Sequence, residues 1–309
     1  MKVGSGPKNV QAPRRVARRD LRAAIAQPSA VAEAPLPSTK EFAQRRPAKG
    51  GVPLWAAYVA SKGDRPASLT RGLRALDRRL SDIARLSAQG VKVRCVFDLD
   101  NTLFDTRWRT LACARSFDLA HGTGHFAGLK DDELIGFIGK NGRDTALALK
   151  LPPDVVERFA AHWDVAFWRP EALAFDRPMD PPLHLIAEAM QRGAQVVFLS
   201  GRVERHIDAQ GNVFGFRDAS LAQLRAAGIE VAPEQLLLKP DVATRTAGFK
   251  AEVLRRYDDE GEIGFFLTEG IRDTTQVRAA LPECTCFLLD CSFEQGARPP
   301  GVPLLPGRF

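Results

Sequence analysis

Apolar and polar positions along the chain follow two alternating patterns. Five strand-like apolar runs occur at 91–99, 195–199, 235–238, 263–268 and 285–289. Helical spacing lies between the later ones. Leu183, Ile186, Ala187 and Met190 make one face, ended by Gly193. Ser220 is placed to cap a helix carrying Leu221 and Leu224 and stopped by Gly228. Phe249, Val253 and Tyr257 make a third face, and 277–281 a last one. Ahead of the first run, Leu73, Leu76, Leu80 and Ile83 predict an amphipathic helix that stops at Gly90. Strands alternating with helices imply right-handed crossovers and a parallel sheet, hence an α/β fold. Ligands of such sheets bind beyond the carboxyl ends of the strands.

One gap breaks the rhythm. Residues 106–180 separate the first strand from the helix that leads to the second. A structureless loop of that length is disfavoured, and helical patterns at 131–137, 143–149 and 153–163 predict an inserted, mainly helical module. It would stand at the carboxyl end of the first strand. The expected organisation is a basic tail over 1–50, a helical extension over 51–90, a core over 91–105 and 181–292, the insertion over 106–180, and a Pro- and Gly-rich stretch over 293–309 that wraps the surface.

Charge sharpens this division. The net charge of +7 has 11 basic and 3 acidic residues among the first 50, against 33 and 34 in the remainder. The basicity therefore belongs to the tail and not to the folded part. A segment so poor in large apolar residues cannot offset its ordering entropy, which predicts disorder. Its basic run at 14–19 suits contact with nucleic acid or an acidic partner, or an Arg-rich targeting role. Five cysteines (Cys95, Cys113, Cys284, Cys286 and Cys291) match no zinc or redox spacing and read as reduced thiols. No run approaches the ~20 apolar residues of a membrane helix. A cytoplasmic protein with no membrane contact is expected. No Walker-type phosphate loop occurs, so ATP-driven kinase chemistry is not supported.

The chemistry concentrates in VRCVFDLDNTLFDT. A buried strand ends in Asp98 and Asp100, two apart and both able to face its exit. Buried carboxylates are costly unless paired or bound to metal, and a cation between them would keep them ionised. This segment resembles the first motif of the haloacid dehalogenase-like superfamily, DxDx[T/V], with Asp98, Asp100 and Thr102 in register. Further along, Ser200 ends ValValPheLeuSer, as the second motif requires. Lys250, opening FKAEVLRRY, and Lys239, after LeuLeuLeu, are the two candidates for the third-motif lysine, Lys250 being favoured for its place before the fourth strand. Glu269 and Asp273 in FLTEGIRD stand at the spacing of the fourth-motif acidic pair, with Glu where Asp is commoner.

The resemblance covers roughly 92–290. It implies a five-stranded Rossmann-like sheet with the first-motif strand central, and an insertion acting as a mobile cap. It also implies a Mg²⁺-dependent phosphohydrolase. Asp98 would attack phosphorus, and Asp100 would serve as acid and then base. Thr102, Ser200 and the lysine would hold phosphate oxygens. Asp98, the Asp100 backbone carbonyl, Glu269 and Asp273 would serve the metal. An acid at Asp100 favours phosphate over carbon–halogen chemistry. The implied substrate is a small phosphorylated molecule. Two other readings fit the same sequence: a nucleic-acid-associated protein using its basic tail, and a catalytically silent fold used for interaction, given Glu269. His121 and His125 read as loop histidines because Gly122 and Gly124 intervene. The loop 203–218, with Arg205, His206 and Arg217, follows the second motif and reads as solvated.

Overall fold

The computed structural model describes residues 67–207, 213–290 and 297–307. The basic tail, the first part of the helical extension and Cys291 lie outside the described residues. The chain enters through α1 (Ala67–Ala88), β1 (Val93–Phe97) and β2 (Phe104–Asp105). The insertion follows, with helices α2 (Arg107–His121), α3 (Asp131–Phe137), α4 (Gly142–Ala148) and α5 (Pro153–Ala166), then a 3-10 turn at Pro170–Phe175. The chain returns through β3 (Arg177–Pro178), α6 (Asp180–Gln191) and β4 (Gln195–Val203). A hairpin of β5 (His206–Ile207) and β6 (Val213–Phe214) leads to α7 (Arg217–Ala226) and β7 (Leu236–Lys239). Last come α8 (Thr246–Asp259), β8 (Glu262–Thr268), α9 (Ile271–Ala280), β9 (Cys286–Leu289) and β10 (Leu304–Leu305).

The main sheet is parallel throughout, in the order β10-β9-β8-β1-β4-β7. Alternation along each strand divides its side chains between two layers. Cys95 and Phe97 of β1, Phe198 of β4 and Phe265 of β8 face α1, α6 and α7, where Leu76, Leu80, Ile83, Ile186 and Leu224 pack on them. Val96, Val197, Leu199 and Phe266 face the other way, against Leu254 of α8 and Val277 of α9. Helices on both faces of a parallel sheet make a Rossmann-like α/β architecture, with β1 inside the sheet. Arg79 fastens α1 to β8 through the carbonyls of Ile263 and Gly264 and the carboxylate of Glu262.

The sheet has six strands where five were expected. The additional edge strand comes from the stretch assigned to surface wrapping. Leu304 and Leu305 pair with Leu288 and Leu289, and Leu305 is fully buried. Gly72 of α1 makes this possible: a Cβ there would lie 1.8 Å from the Leu304 carbonyl oxygen. Ser220 is a second correction. Helix α7 begins at Arg217, so Ser220 lies inside it, buried, and its hydroxyl accepts from Arg202 instead of capping.

The insertion has its own apolar cluster, built on Leu111, Phe117, Phe126, Leu134, Phe159 and Trp163. Two links hold its ends together at the sheet. Strands β2 and β3 pair antiparallel, and the Arg177 guanidinium sits over the Trp108 ring. His121 ends α2, with Gly122 at φ 62° closing the helix, so it is helical where a loop was expected. The loop 203–218 is partly structural. Arg217 pairs with Glu204 and donates to the Pro233 and Leu236 carbonyls at 2.8 and 3.0 Å.

Candidate active site

Strands β1, β4 and β8 end side by side, so the residues after them meet at one edge of the sheet. Directly beyond β1 the chain turns on Asn101, at φ 55°. Asparagine tolerates this left-handed conformation because its short amide bonds locally. Here its Oδ1 accepts from the Thr106 hydroxyl at 2.9 Å. The turn sends Thr102 back towards β8, where its hydroxyl accepts from the Glu269 N–H at 3.1 Å and donates to the Glu269 carboxylate at 3.2 Å. Thr102 is fully buried. The structure thus gives its hydroxyl to Glu269 instead of leaving it open to a ligand.

Asp98 is the centre of the arrangement. Its Oδ1 accepts the Leu99 N–H at 2.8 Å, while Oδ2 accepts from Lys250 Nζ at 2.6 Å and from the Thr268 hydroxyl at 3.0 Å. Lys250 also reaches Asp273 at 2.5 Å. Of the two candidate lysines, Lys250 is the one brought onto Asp98. Lys239 donates to the Thr244 carbonyl at 3.0 Å, and burial lowers its pKa. Asp273 lies in the first turn of α9, as a helix-start acid would, and is also an ion-pair partner of Lys250. Ser200 is fully buried, at an irregularity in the β4–β7 pairing, and its Oγ accepts the Arg202 N–H at 3.2 Å.

Charge is unevenly met here. Among the described residues, Lys250 is the cation that pairs with Asp98 and Asp273 and pulls on Glu269. Burial raises the Asp98 pKa against the pull of Lys250. Burial and the neighbouring Asp98 push Glu269 up to about 8. Lys250 is held above its ordinary value: burial would lower it, and Asp273 and Asp98 more than reverse that. Among the described residues, no three His, Cys, Asp or Glu side chains already surround a common point as metal ligands. The donor set nevertheless suits a hard divalent cation, being carboxylate oxygens with more negative charge than Lys250 neutralises.

Asp100 sits in a different environment. Arg109 Nη2 donates to its Oδ1 at 2.9 Å, and Arg202 reaches it through Nη2 at 2.8 Å and Nε at 3.2 Å. Both arginines are buried, and each has further ties. Arg109 forks onto Asp176, at 2.8 Å through Nε. Arg202 donates to Ser220 and to Gln223, both at 2.8 Å. Gln223 in turn donates to Asp176 at 2.8 Å. Burial would raise the Asp100 pKa, but Arg202 and Arg109 overcome it and hold the carboxyl well below the usual range. Sequence reading missed Arg109, Asp176, Arg202, Gln223 and Thr268. Arg202 stood in view beside Ser200. Arg109 and Asp176 come from the two ends of the insertion, 67 residues apart, and carry no motif.

No family model and no curated protein matches this chain. Solved structures do superpose on it. A candidate phosphatase from Clostridium difficile does so with TM-score 0.44 and 11% identity, over 67% of this chain and 88% of that one. A haloacid dehalogenase-superfamily hydrolase from Geobacter sulfurreducens gives TM-score 0.43 and 14% identity, over 65% and 88%. A haloacid dehalogenase-like hydrolase from Streptococcus pneumoniae gives 0.42 and 12%, over 67% and 89%. The fold assignment itself rests on the strand order and register given above.

Proposed function

We propose that the chain is a phosphohydrolase in which Asp98 attacks the phosphorus of a small phosphorylated substrate. One observation carries the reading: a carboxylate at the end of a central strand, fixed by Lys250, Thr268 and the Leu99 N–H, beside two further acids. A purely structural Asp–Lys pair has no need of Glu269 and Asp273; crowded beside Asp98 in the empty site, the Glu269 carboxyl is pushed up to about 8. A site awaiting a cation and a phosphoryl group does need them. This weighs against the silent-fold reading.

Asp98, Glu269, Asp273 and the Asp100 backbone carbonyl are the groups that would hold Mg²⁺. When bound, the ion neutralises the phosphoryl oxygens and lets a weak carboxylate nucleophile approach them. The remaining work falls to side chains. Lys250 draws Asp98 towards its ionised form and holds it in place, with its own charge available to a transferred oxygen. Ser200, within β4 beside β1, would hold a phosphate oxygen through its hydroxyl. Asp98 would form an aspartyl-phosphate as the alkoxide leaves. Asp100, ionised in the resting site, would first take up a proton from solvent, give it to the leaving oxygen and then take one from the attacking water. To do so it must turn away from Arg109 and Arg202. The insertion, whose Arg109 reaches Asp100 just beyond β1, would act as a cap that limits substrate size.

Hydrolysis of a generic aryl phosphate, with Mg²⁺ and with chelator, tests the reading on wild type and Asp98→Asn. The account expects Mg²⁺-dependent turnover that falls at least about a hundredfold in the variant. Equal rates in the two proteins would sink it.

A further inference from the structure

We infer that Arg109 and Arg202 form an anion subsite that Asp100 fills in the resting protein, and that a second anionic group of the substrate fills when Asp100 turns to the reacting phosphoryl group. The inference rests on the phosphohydrolase reading and narrows its substrate class. Favoured substrates carry a carboxylate or a further phosphate beside the phosphoryl group that is transferred.

Two fully buried guanidinium groups, one from α2 of the insertion and one from β4 of the core, converge on a single carboxylate. Of the four charged side chains in this cluster, Asp100 alone reaches the surface. Its side chain is 24% exposed, while Arg109, Arg202 and Asp176 are at 0%. Asp176 is fastened by Arg109 and Gln223 and cannot follow. With Asp100 in place the cluster is neutral, two arginines against two aspartates. With Asp100 turned out, one guanidinium charge is left buried without a partner, which is costly. A carboxylate or phosphate presents the same planar or forked acceptor geometry that Asp100 provides. A ligand bearing one would restore the balance from the same open side.

A separate observation points the same way. Arg109 Nη1 is buried and has no hydrogen-bond partner in the structure. Buried donors are nearly always satisfied. The Phe167 ring lies under this guanidinium at 4.4 Å and fixes its plane. The spare donor therefore stands beside the Asp100 position, ready for an acceptor oxygen that Asp100 does not supply.

The test compares phosphoglycerate with glycerol phosphate, which differ by one carboxylate against one hydroxymethyl group. Calorimetric titration of Asp98→Asn with Mg²⁺ removes turnover. Phosphoglycerate should bind at least about tenfold more tightly. Adding Arg202→Lys should bring the ratio close to one, because lysine keeps the charge and loses the fork. Arg109→Lys provides the same comparison should Arg202→Lys not fold. Equal affinities, no binding of either probe, or a preference that survives both lysine variants would overturn the subsite. Aryl phosphate hydrolysis by wild type separates the two ideas. Turnover with equal affinities leaves the phosphohydrolase standing without the subsite, and a carboxylate preference without turnover leaves the subsite without the phosphohydrolase.

Discussion

Replacing Lys250 by Met tests the charge balance on which the site depends. Lys250 is 1% exposed, and its ammonium is the shared donor to Asp98 at 2.6 Å and Asp273 at 2.5 Å. Methionine preserves the bulk and removes the charge and all three donors. Asp98, Glu269 and Asp273 would then share a buried site with no cation. Breaking a buried ion pair by removing one partner costs about 3–5 kcal/mol. For a chain of this size that is roughly 6–20 °C in melting temperature. Protonation limits the loss and gives it a sign with pH. A carboxyl whose folded pKa lies above its unfolded value contributes fully below the unfolded value. That contribution is lost as pH rises through the folded one. Asp98 and Glu269 already sit above their ordinary values in the native protein, and losing Lys250 pushes them higher. In chelator, the deficit of Lys250→Met should be small near about pH 5 and largest near about pH 9. Urea midpoints followed by far-ultraviolet circular dichroism measure it, and excess Mg²⁺ should recover part of the loss at high pH. A deficit that is the same at both pH values, or a variant more stable than wild type at the higher one, would refute the reasoning.

Further outcomes follow from the same structure. Glu269, pushed up to about 8 by burial and Asp98, should make the metal-free protein lose stability as pH rises from about 4.5 to about 8; in Glu269→Gln that slope should flatten in a melting series with chelator. Gly72→Ala places a Cβ against the Leu304 carbonyl and should cost about 1–3 kcal/mol. Amide exchange at Leu288 and Asp290, which donate to the Pro303 and Leu305 carbonyls, should rise first. His162, lowered to about 4 by burial and His121, with Nε2 2.8 Å from the Ser116 hydroxyl, should show no titration between about pH 5.5 and 8 by NMR.

Five strands of the main sheet were legible because each carries a short apolar run, broken in β1 only by Arg94, and a parallel sheet buries both of its faces. The same property hid β10: two leucines among prolines and glycines give no run, and their pairing depends on the contact of Gly72 with Leu304. Helix α2 was also missed, because it buries Arg109, Thr110 and Asp118 beside Leu111 and Phe117 and so lacks a clean apolar stripe. At the site, Asp98, Glu269 and Asp273 could be anticipated from the motifs they resemble, since each follows a strand within a few residues; Lys250, inside α8 and away from any strand end, stood only as one of two candidates. The Arg109–Asp176–Arg202 cluster could not. It forms only when both ends of the insertion meet β4, a long-range event with no local pattern. The consequence for Thr102 is similar, since its hydroxyl is taken by Glu269, a residue 167 positions away.

The central claim is that Asp98 carries the phosphoryl group. Wild type should be mixed with an aryl phosphate and Mg²⁺, quenched in acid within one turnover, and treated with hydroxylamine before peptide mass spectrometry. The account predicts a hydroxamate at Asp98, absent without Mg²⁺ and absent in Asp98→Asn. Mg²⁺-dependent turnover with the label on another residue, or with Asp98→Asn as active as wild type, would contradict it.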